Sequence, residues 1–202
     1  RPPVIMAVSK TFATQDIMPV LEAGHRCFGE NKIQEAQGKW PALLQEFPDC
    51  ALHLIGPLQT NKAKVALGLF DVIHTLDREK LARKLCDLQE AHAITCRYFI
   101  QVNTGEESQK AGISPKDCPE FTRYVREDLG LDVMGLMAIP PQEDLPALHF
   151  ALLAKLAKEL GLSSLSMGMS ADYEQAIPHG ATIIRIGSKI FGPRSGNIIA
   201  HD

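Results

Sequence analysis

No long apolar run occurs in this chain. Nothing approaches the roughly 18 uninterrupted apolar residues of a membrane-spanning helix, so no membrane partner is expected. Cysteine is sparse and odd in number: Cys27, Cys50, Cys86, Cys96 and Cys118 are widely spaced and never form C-x-x-C. That pattern argues against both a disulfide framework and a zinc site, and it reads as reduced thiols in a cytoplasmic protein. Neither sign of charge dominates, with 21 Lys and Arg against 24 Asp and Glu and a formal net charge of -3. Without a basic run interleaved with aromatics, a nucleic-acid partner is not expected either. The glycine-rich G-x-G-x-x-G turn and the P-loop are both missing, as are internal repeats, low-complexity stretches and linkers. The start shows no signal-peptide pattern, and it opens on Arg1-Pro2-Pro3 in place of methionine, so residues ahead of it are expected.

What is present is a rhythm. With 202 residues, 45% hydrophobic and 22% charged, the chain has the composition of one globular domain over 1–202. Short runs of Val, Ile, Leu and Phe alternate with amphipathic segments throughout. The runs are Val4 to Ser9, Arg26 to Gly29, Leu52 to Gly56, Val72 to Thr75, Arg97 to Asn103, Val133 to Ile139, Ser164 to Gly168 and Thr182 to Ile186. Helical periodicity covers Thr14 to Ala23, Lys32 to Gln45, Lys62 to Phe70, Arg78 to Ala91, Pro115 to Asp128, Leu145 to Leu160 and Asp172 to Pro178. Ser114 before Pro115 and Asp77 before Arg78 read as N-caps, and Gly24, Gly130, Gly161 and Gly180 as helix stops. The fold class expected is α/β, a single (β/α)8 TIM barrel, compact against the about 250 residues typical of that fold. An open doubly wound sheet is the rival, disfavoured because Lys10-Thr11-Phe12 follows the first strand where a glycine-rich turn would belong. One helix is missing from the count, and its expected place is ahead of Arg1.

Barrel chemistry lies at the carboxyl ends of the strands, which yields a shortlist directly. It runs through Lys10, Glu30, Asn31, Gln59, Asn61, Asp77, Asn103, Thr104, Gly105, Met137, Ala138, Ser166 to Ser170, Arg185, Gly187 and Ser188. Lys10 closes the first strand; apolar surroundings there would favour the free amine that attacks an aldehyde. Ser166 to Ser170 and Gly187-Ser188 follow the seventh and eighth strands, where such barrels often bind phosphate, although Gly-Ser can also simply turn the chain. A lysine facing a phosphate cup implies pyridoxal phosphate. Arg185, two residues before Gly187, would point inward and face the pyridine nitrogen, leaving it unprotonated and weakening the ring as an electron sink.

These segments resemble the pyridoxal phosphate homeostasis proteins, relatives of the alanine racemase N-terminal barrel. The resemblance rests on Ala7-Val8-Ser9-Lys10-Thr11, Phe28-Gly29-Glu30-Asn31, His53 through Lys62, Gly135 through Ile139, Leu165 through Ser170 and Arg185 through Gly192. It implies pyridoxal phosphate held as a Schiff base on Lys10, with Asn31 near the ring hydroxyl and His53 and Met137 near the ring. Ser166 and Ser170 with Gly187 and Ser188 would hold the phosphate, Arg185 would meet the ring nitrogen, and Met167 is a further cofactor-binding candidate. Ser188 stands where threonine is common, Lys32 where tyrosine is frequent and Leu52 where an aromatic is usual; the last two leave the ring packing open.

Two functional classes follow. One is a carrier that holds, buffers and hands on the cofactor in vitamin B6 homeostasis, with little or no turnover, to pyridoxal phosphate-dependent apoenzymes; free amino acids are further candidate partners and a monomer is expected. The other is a pyridoxal phosphate-dependent amino-acid racemase. Racemisation needs a second acid or base opposite Lys10, and Tyr173 is the tyrosine placed near the mouth. The remaining groups have plainer readings: His74 and His149 as packed and hydrogen-bonded, His25, His92, His179 and His201 as surface positions, Trp40 as core, and Glu106, Glu107 and Lys110 as a solvated loop. No metal site is expected.

Overall fold

Eight short parallel strands close on themselves in chain order. They are β1 (Val4–Val8), β2 (Cys27–Glu30), β3 (Ala51–Leu54), β4 (Val72–Leu76), β5 (Arg97–Gln101), β6 (Asp132–Met137), β7 (Ser164–Met169) and β8 (Ile183–Ile186). β1 pairs with both β2 and β8, which seals the barrel. The structure, a computed structural model, describes residues 1–193. Between the strands lie α1 (Thr14–Glu22), α2 (Ile33–Glu46), α3 (Ala63–Leu67), α4 (Glu79–His92), α5 (Cys118–Arg123), α6 (Pro146–Glu159) and α7 (Tyr173–Ala176), and α8 (Ser188–Phe191) follows β8.

The strand side chains alternate between two cores, as a period of two requires. Ala7, Phe28, Leu54, Ile73, Ile100 and Ile184 face outward into the layer shared with the helices. Met6, Val72, Phe99, Met137 and Ile183 face inward and fill the lumen. In the outer layer Trp40 of α2 is fully buried, its ring 5.0 Å from that of Phe28; truncating such a residue costs about 3–5 kcal/mol. The lumen is tight at Gly29, where an added methyl would force the buried Met6 side chain to shift. A Cβ on Gly29 would lie 2.5 Å from the Met6 sulfur.

Several local expectations are met and several are displaced. Gly24, Gly130, Gly161 and Gly180 end their helices with φ of 92°, 64°, 66° and 91°, the left-handed region where a Cβ is strained. The eighth helix follows β8; at four residues it is too short to show periodicity. Helix α5 starts three residues beyond Pro115, because the Ser114 hydroxyl first accepts the Asp117 N–H (3.0 Å) in a preceding turn. Its end widens into a π-helical turn over Tyr124–Asp128. Asp77 does not cap α4, since its carboxylate accepts from the Gly112 N–H (3.1 Å) and pairs with Arg78 (2.8 Å). Among the described residues no helix is long and apolar enough to cross a membrane, and no group of three or more candidate ligands could hold a metal. The five cysteines are unbridged, and His201 lies outside the described residues.

Candidate functional site

Strand order places the carboxyl ends of β7, β8, β1 and β2 side by side on the rim. A cavity of about 310 Å3 opens there, at the small end of the range for small-molecule pockets. Lys10 enters it from the end of β1, Asn31 from β2, Ser170 from β7, and Gly187 and Ser188 from β8. Arg185 reaches it from within the barrel, two residues below Gly187, and Phe12, Ile55, Ile139 and Met169 supply apolar walls. Seven of the residues singled out in the sequence, Met169 among them, therefore share one space. Among the described residues that line it, the titratable side chains are Lys10 and Arg185.

The other residues singled out lie elsewhere. His53, Ser166 and Met137 belong to the barrel interior and do not line the cavity. Met167 faces the outer layer and packs with the helices. The Tyr173 hydroxyl, also outside the cavity lining, donates to Glu174 (3.1 Å) and accepts from Lys189 (3.4 Å).

The backbone around Lys10 is held by side chains of α2. Lys39 Nζ donates to the carbonyls of Ser9 and Phe12, both at 3.0 Å. It pairs with Glu30 at 2.6 Å and Glu35 at 2.9 Å. Glu30, fully buried at the end of β2, accepts from the Ser9 hydroxyl (2.8 Å) and the Trp40 indole (2.9 Å). Glu35 accepts a short bond from the Thr11 N–H, which fixes Thr11 at φ 69° in the left-handed region that threonine seldom adopts. Burial opposes ionisation of Glu35, but the Lys39 and Thr11 hydrogen bonds and the Lys39 charge outweigh it and hold its carboxyl below its ordinary value. Residues 9, 11 and 12 are thus fixed on both sides of Lys10. Sequence reasoning marked Glu30 as a strand-end residue and missed Lys39 and Glu35; their i, i+4 spacing of opposite charges was the available signal.

Asn31 is seated by close approach. A Cβ on Gly56 would fall 2.0 Å from the Asn31 carbonyl oxygen, and the Gly56 carbonyl accepts from the Thr75 hydroxyl at 2.8 Å. Gly56→Ala must therefore push the Asn31 backbone or the β3 end aside, an overpacking cost of about 1–3 kcal/mol. The expected result is a lower urea midpoint, together with weaker pyridoxal phosphate retention than in a Gly38→Ala control, whose added Cβ meets nothing within 4 Å. Equal retention by the two variants would contradict the seating role.

Beneath the cavity a polar chain crosses the lumen. Arg185 donates through NH1 to the Ser166 carbonyl and hydroxyl oxygens, both at 2.8 Å, and through NH2 to the Ala138 carbonyl at 2.9 Å. His74 Nδ1 lies 2.9 Å from the Ser166 hydroxyl, and His74 Nε2 lies 2.9 Å from His53 Nδ1. His53 Nε2 is 3.7 Å from the Cys27 sulfur. Burial, then the Arg97 charge, pushes the His53 pKa down to about 4; burial, then His53 and Arg185, holds His74 well below the ordinary imidazole range. Both imidazoles are neutral at pH 7, and Arg185, lowered by burial to about 10, stays charged. An unfolded chain protonates histidine near about pH 6.5. Below that pH the unfolded state binds more protons than the native state, so this stabilisation is complete above it and is lost as pH falls toward the folded values. The urea midpoint at pH 5 is expected below that at pH 7.5, and equal midpoints would contradict the buried neutral pair.

Comparisons with known proteins agree with this geometry. The family described as alanine racemase, N-terminal domain, matches residues 1–195. The pyridoxal phosphate homeostasis protein of Vibrio cholerae is 40% identical over 200 residues, covering 94% of this chain and 85% of the relative. The structure of PipY from Synechococcus elongatus without pyridoxal phosphate superimposes with a TM-score of 0.88 at 36% identity, covering 94% of this chain and 93% of PipY. PipY with pyridoxal phosphate bound gives 0.82 at 35% identity, covering 94% and 92%. The chain belongs to the alanine racemase N-terminal-domain family, as one of its pyridoxal phosphate homeostasis proteins.

Proposed function

We propose that this protein binds pyridoxal 5'-phosphate at the rim of its barrel and serves intracellular vitamin B6 homeostasis, as a carrier with little or no catalytic turnover. The observation that carries the proposal is the single cavity holding Lys10, Asn31, Ser170, Arg185, Gly187 and Ser188 together. When bound, pyridoxal phosphate supplies an aldehyde reactive toward amines and a phosphate dianion. Lys10 offers the amine. Ser170 and Ser188 offer hydroxyls to the phosphate, Gly187 allows the backbone to approach, and Asn31 serves the ring hydroxyl. Arg185 has only hydrogens to give. A ring nitrogen facing it keeps its lone pair, which disfavours carbanion chemistry on a bound amino acid.

The cavity lining also favours a carrier over a racemase. Racemisation needs proton transfer on both faces of an alpha carbon. Lys10 can serve one, Arg185 is a poor base, and the Tyr173 hydroxyl is engaged by Glu174 and Lys189. The carrier reading extends to one barrel domain over 1–202, acting as a cytoplasmic monomer, with pyridoxal phosphate-dependent apoenzymes as recipients.

The test pairs two assays on loaded protein. Reactivation of a pyridoxal phosphate-dependent apoenzyme is expected, with an unchanged D/L ratio of alanine, serine and glutamate after long incubation. Efficient turnover of any one amino acid, abolished by Lys10→Ala and by Tyr173→Phe, would replace the carrier with the racemase.

A further inference from the structure

We infer that Ser166, His74 and His53 form a one-way hydrogen-bond relay, set in direction by Arg185, that holds the guanidinium in place beneath the cavity and its remaining hydrogens toward it. The inference rests on the reading of the cavity as a pyridoxal phosphate site. Its direction follows from counting hydrogens. Arginine is donor-only, so the Ser166 hydroxyl oxygen accepts from Arg185 NH1. The Ser166 proton then goes to His74 Nδ1, 2.9 Å away. A neutral His74 must carry its own proton on Nε2 and donate it to His53 Nδ1 at 2.9 Å. His53 in turn carries its proton on Nε2, toward the Cys27 sulfur at 3.7 Å.

The reverse direction fails at one end. Cys27 could donate to His53, His53 to His74 and His74 to Ser166. The Ser166 oxygen would then accept from both His74 and Arg185, and its own proton would have no acceptor among the hydrogen bonds of the described residues. The forward direction leaves only the Cys27 thiol proton without an acceptor among those hydrogen bonds, and S–H is a weak donor that loses little, whereas the reverse strands a buried hydroxyl proton. Phe99 stacks on His74 with ring centroids 4.3 Å apart and planes 18° from parallel, which fixes the plane in which the relay runs. Arg185 NH1 and NH2 are anchored on the Ser166 and Ala138 carbonyls, so the hydrogens left over are those available to the cavity that Arg185 lines. His53 and His74 are accordingly positioning residues, acting on a ligand through Arg185.

The experiment is heteronuclear NMR of the whole protein labelled with 15N-histidine, at neutral pH and without added cofactor. Both His53 and His74 are expected as the neutral Nε2–H tautomer with an unprotonated Nδ1. An Nδ1–H tautomer or an imidazolium at either residue would overturn the relay. Ser166→Ala cuts the link to Arg185, and it is expected to mix or reverse the His74 tautomer and weaken pyridoxal phosphate binding by about tenfold, the effect of stranding one buried hydrogen-bonding group. Cys27→Ala, at the downstream end, should leave both tautomers unchanged. Tautomers unaltered by Ser166→Ala would show that Arg185 does not set the direction. The cofactor reading fails separately: the expected tautomers together with no adduct on Lys10 after borohydride reduction would retain the relay and remove pyridoxal phosphate from the cavity.

Discussion

Lys39→Met is expected to lower the unfolding free energy by about 3–5 kcal/mol, the range for removing one partner of a buried ion pair. The Lys39 side chain is only 10% exposed and the Glu30 side chain 0%, so solvent cannot replace the lost ammonium. Glu30 Oε1 would keep its Ser9 and Trp40 donors. Glu30 Oε2 makes no hydrogen bond among the described residues, so the carboxylate would be left buried and uncompensated. The carbonyls of Ser9 and Phe12 would lose their donor in the same step. Urea denaturation at pH 7 checks the size of the effect. Adding Glu30→Gln to Lys39→Met should recover part of the loss, because the second change removes the stranded charge; a double-mutant cycle isolates that coupling. A loss below about 1 kcal/mol with no coupling would show that the clamp contributes little.

The second large effect is on binding. Lys10→Ala is expected to abolish retention of pyridoxal phosphate through gel filtration, while stability changes far less than in Lys39→Met. The contrast is informative because the two lysines are structurally adjacent but differently employed. Lys39 is spent on the backbone of Ser9 and Phe12 and on two carboxylates, whereas Lys10 lines the cavity. Lys39→Met protein that still folds should retain some cofactor with Lys10 less well held. Full retention by Lys10→Ala would mean that the phosphate and ring contacts suffice without the amine.

Much of the architecture is written locally. Stretches such as Met6–Val8 of β1 and Tyr98–Ile100 of β5 are apolar on both faces because both faces are buried, one against helices and one in the lumen, and that double burial makes short apolar runs visible. Glycines at positive φ mark helix ends for an equally local reason. The eighth helix escaped because four residues carry too little periodicity. The rim residues Lys10, Asn31, Ser170, Arg185, Gly187 and Ser188 were legible because barrel topology sends strand ends to one face.

The layer below was not legible. His53 and His74 meet across 21 residues and His74 and Ser166 across 92, contacts that exist only once the barrel has closed. His74 reads in the sequence as a packed, hydrogen-bonded histidine; the structure supplies its partners. A signal was present, since His53, His74, Ser166 and Arg185 all occupy inward positions, one on each of β3, β4, β7 and β8. One polar side chain at an inward position on each of four strands marks a lumen that carries a polar chain. The clamp on Lys10 was hidden for the same reason, with Lys39 contacting Ser9 from 30 residues away.

The central claim is that Lys10 is the residue that captures pyridoxal phosphate, and reduction followed by peptide mapping tests it most directly. The protein is incubated with pyridoxal phosphate, reduced with borohydride, digested and sequenced by mass spectrometry. The account predicts one stoichiometric pyridoxyl adduct, on Lys10, with Lys39, Lys62, Lys110 and Lys189 unmodified. Stoichiometric labelling of any of those four with Lys10 untouched would contradict it.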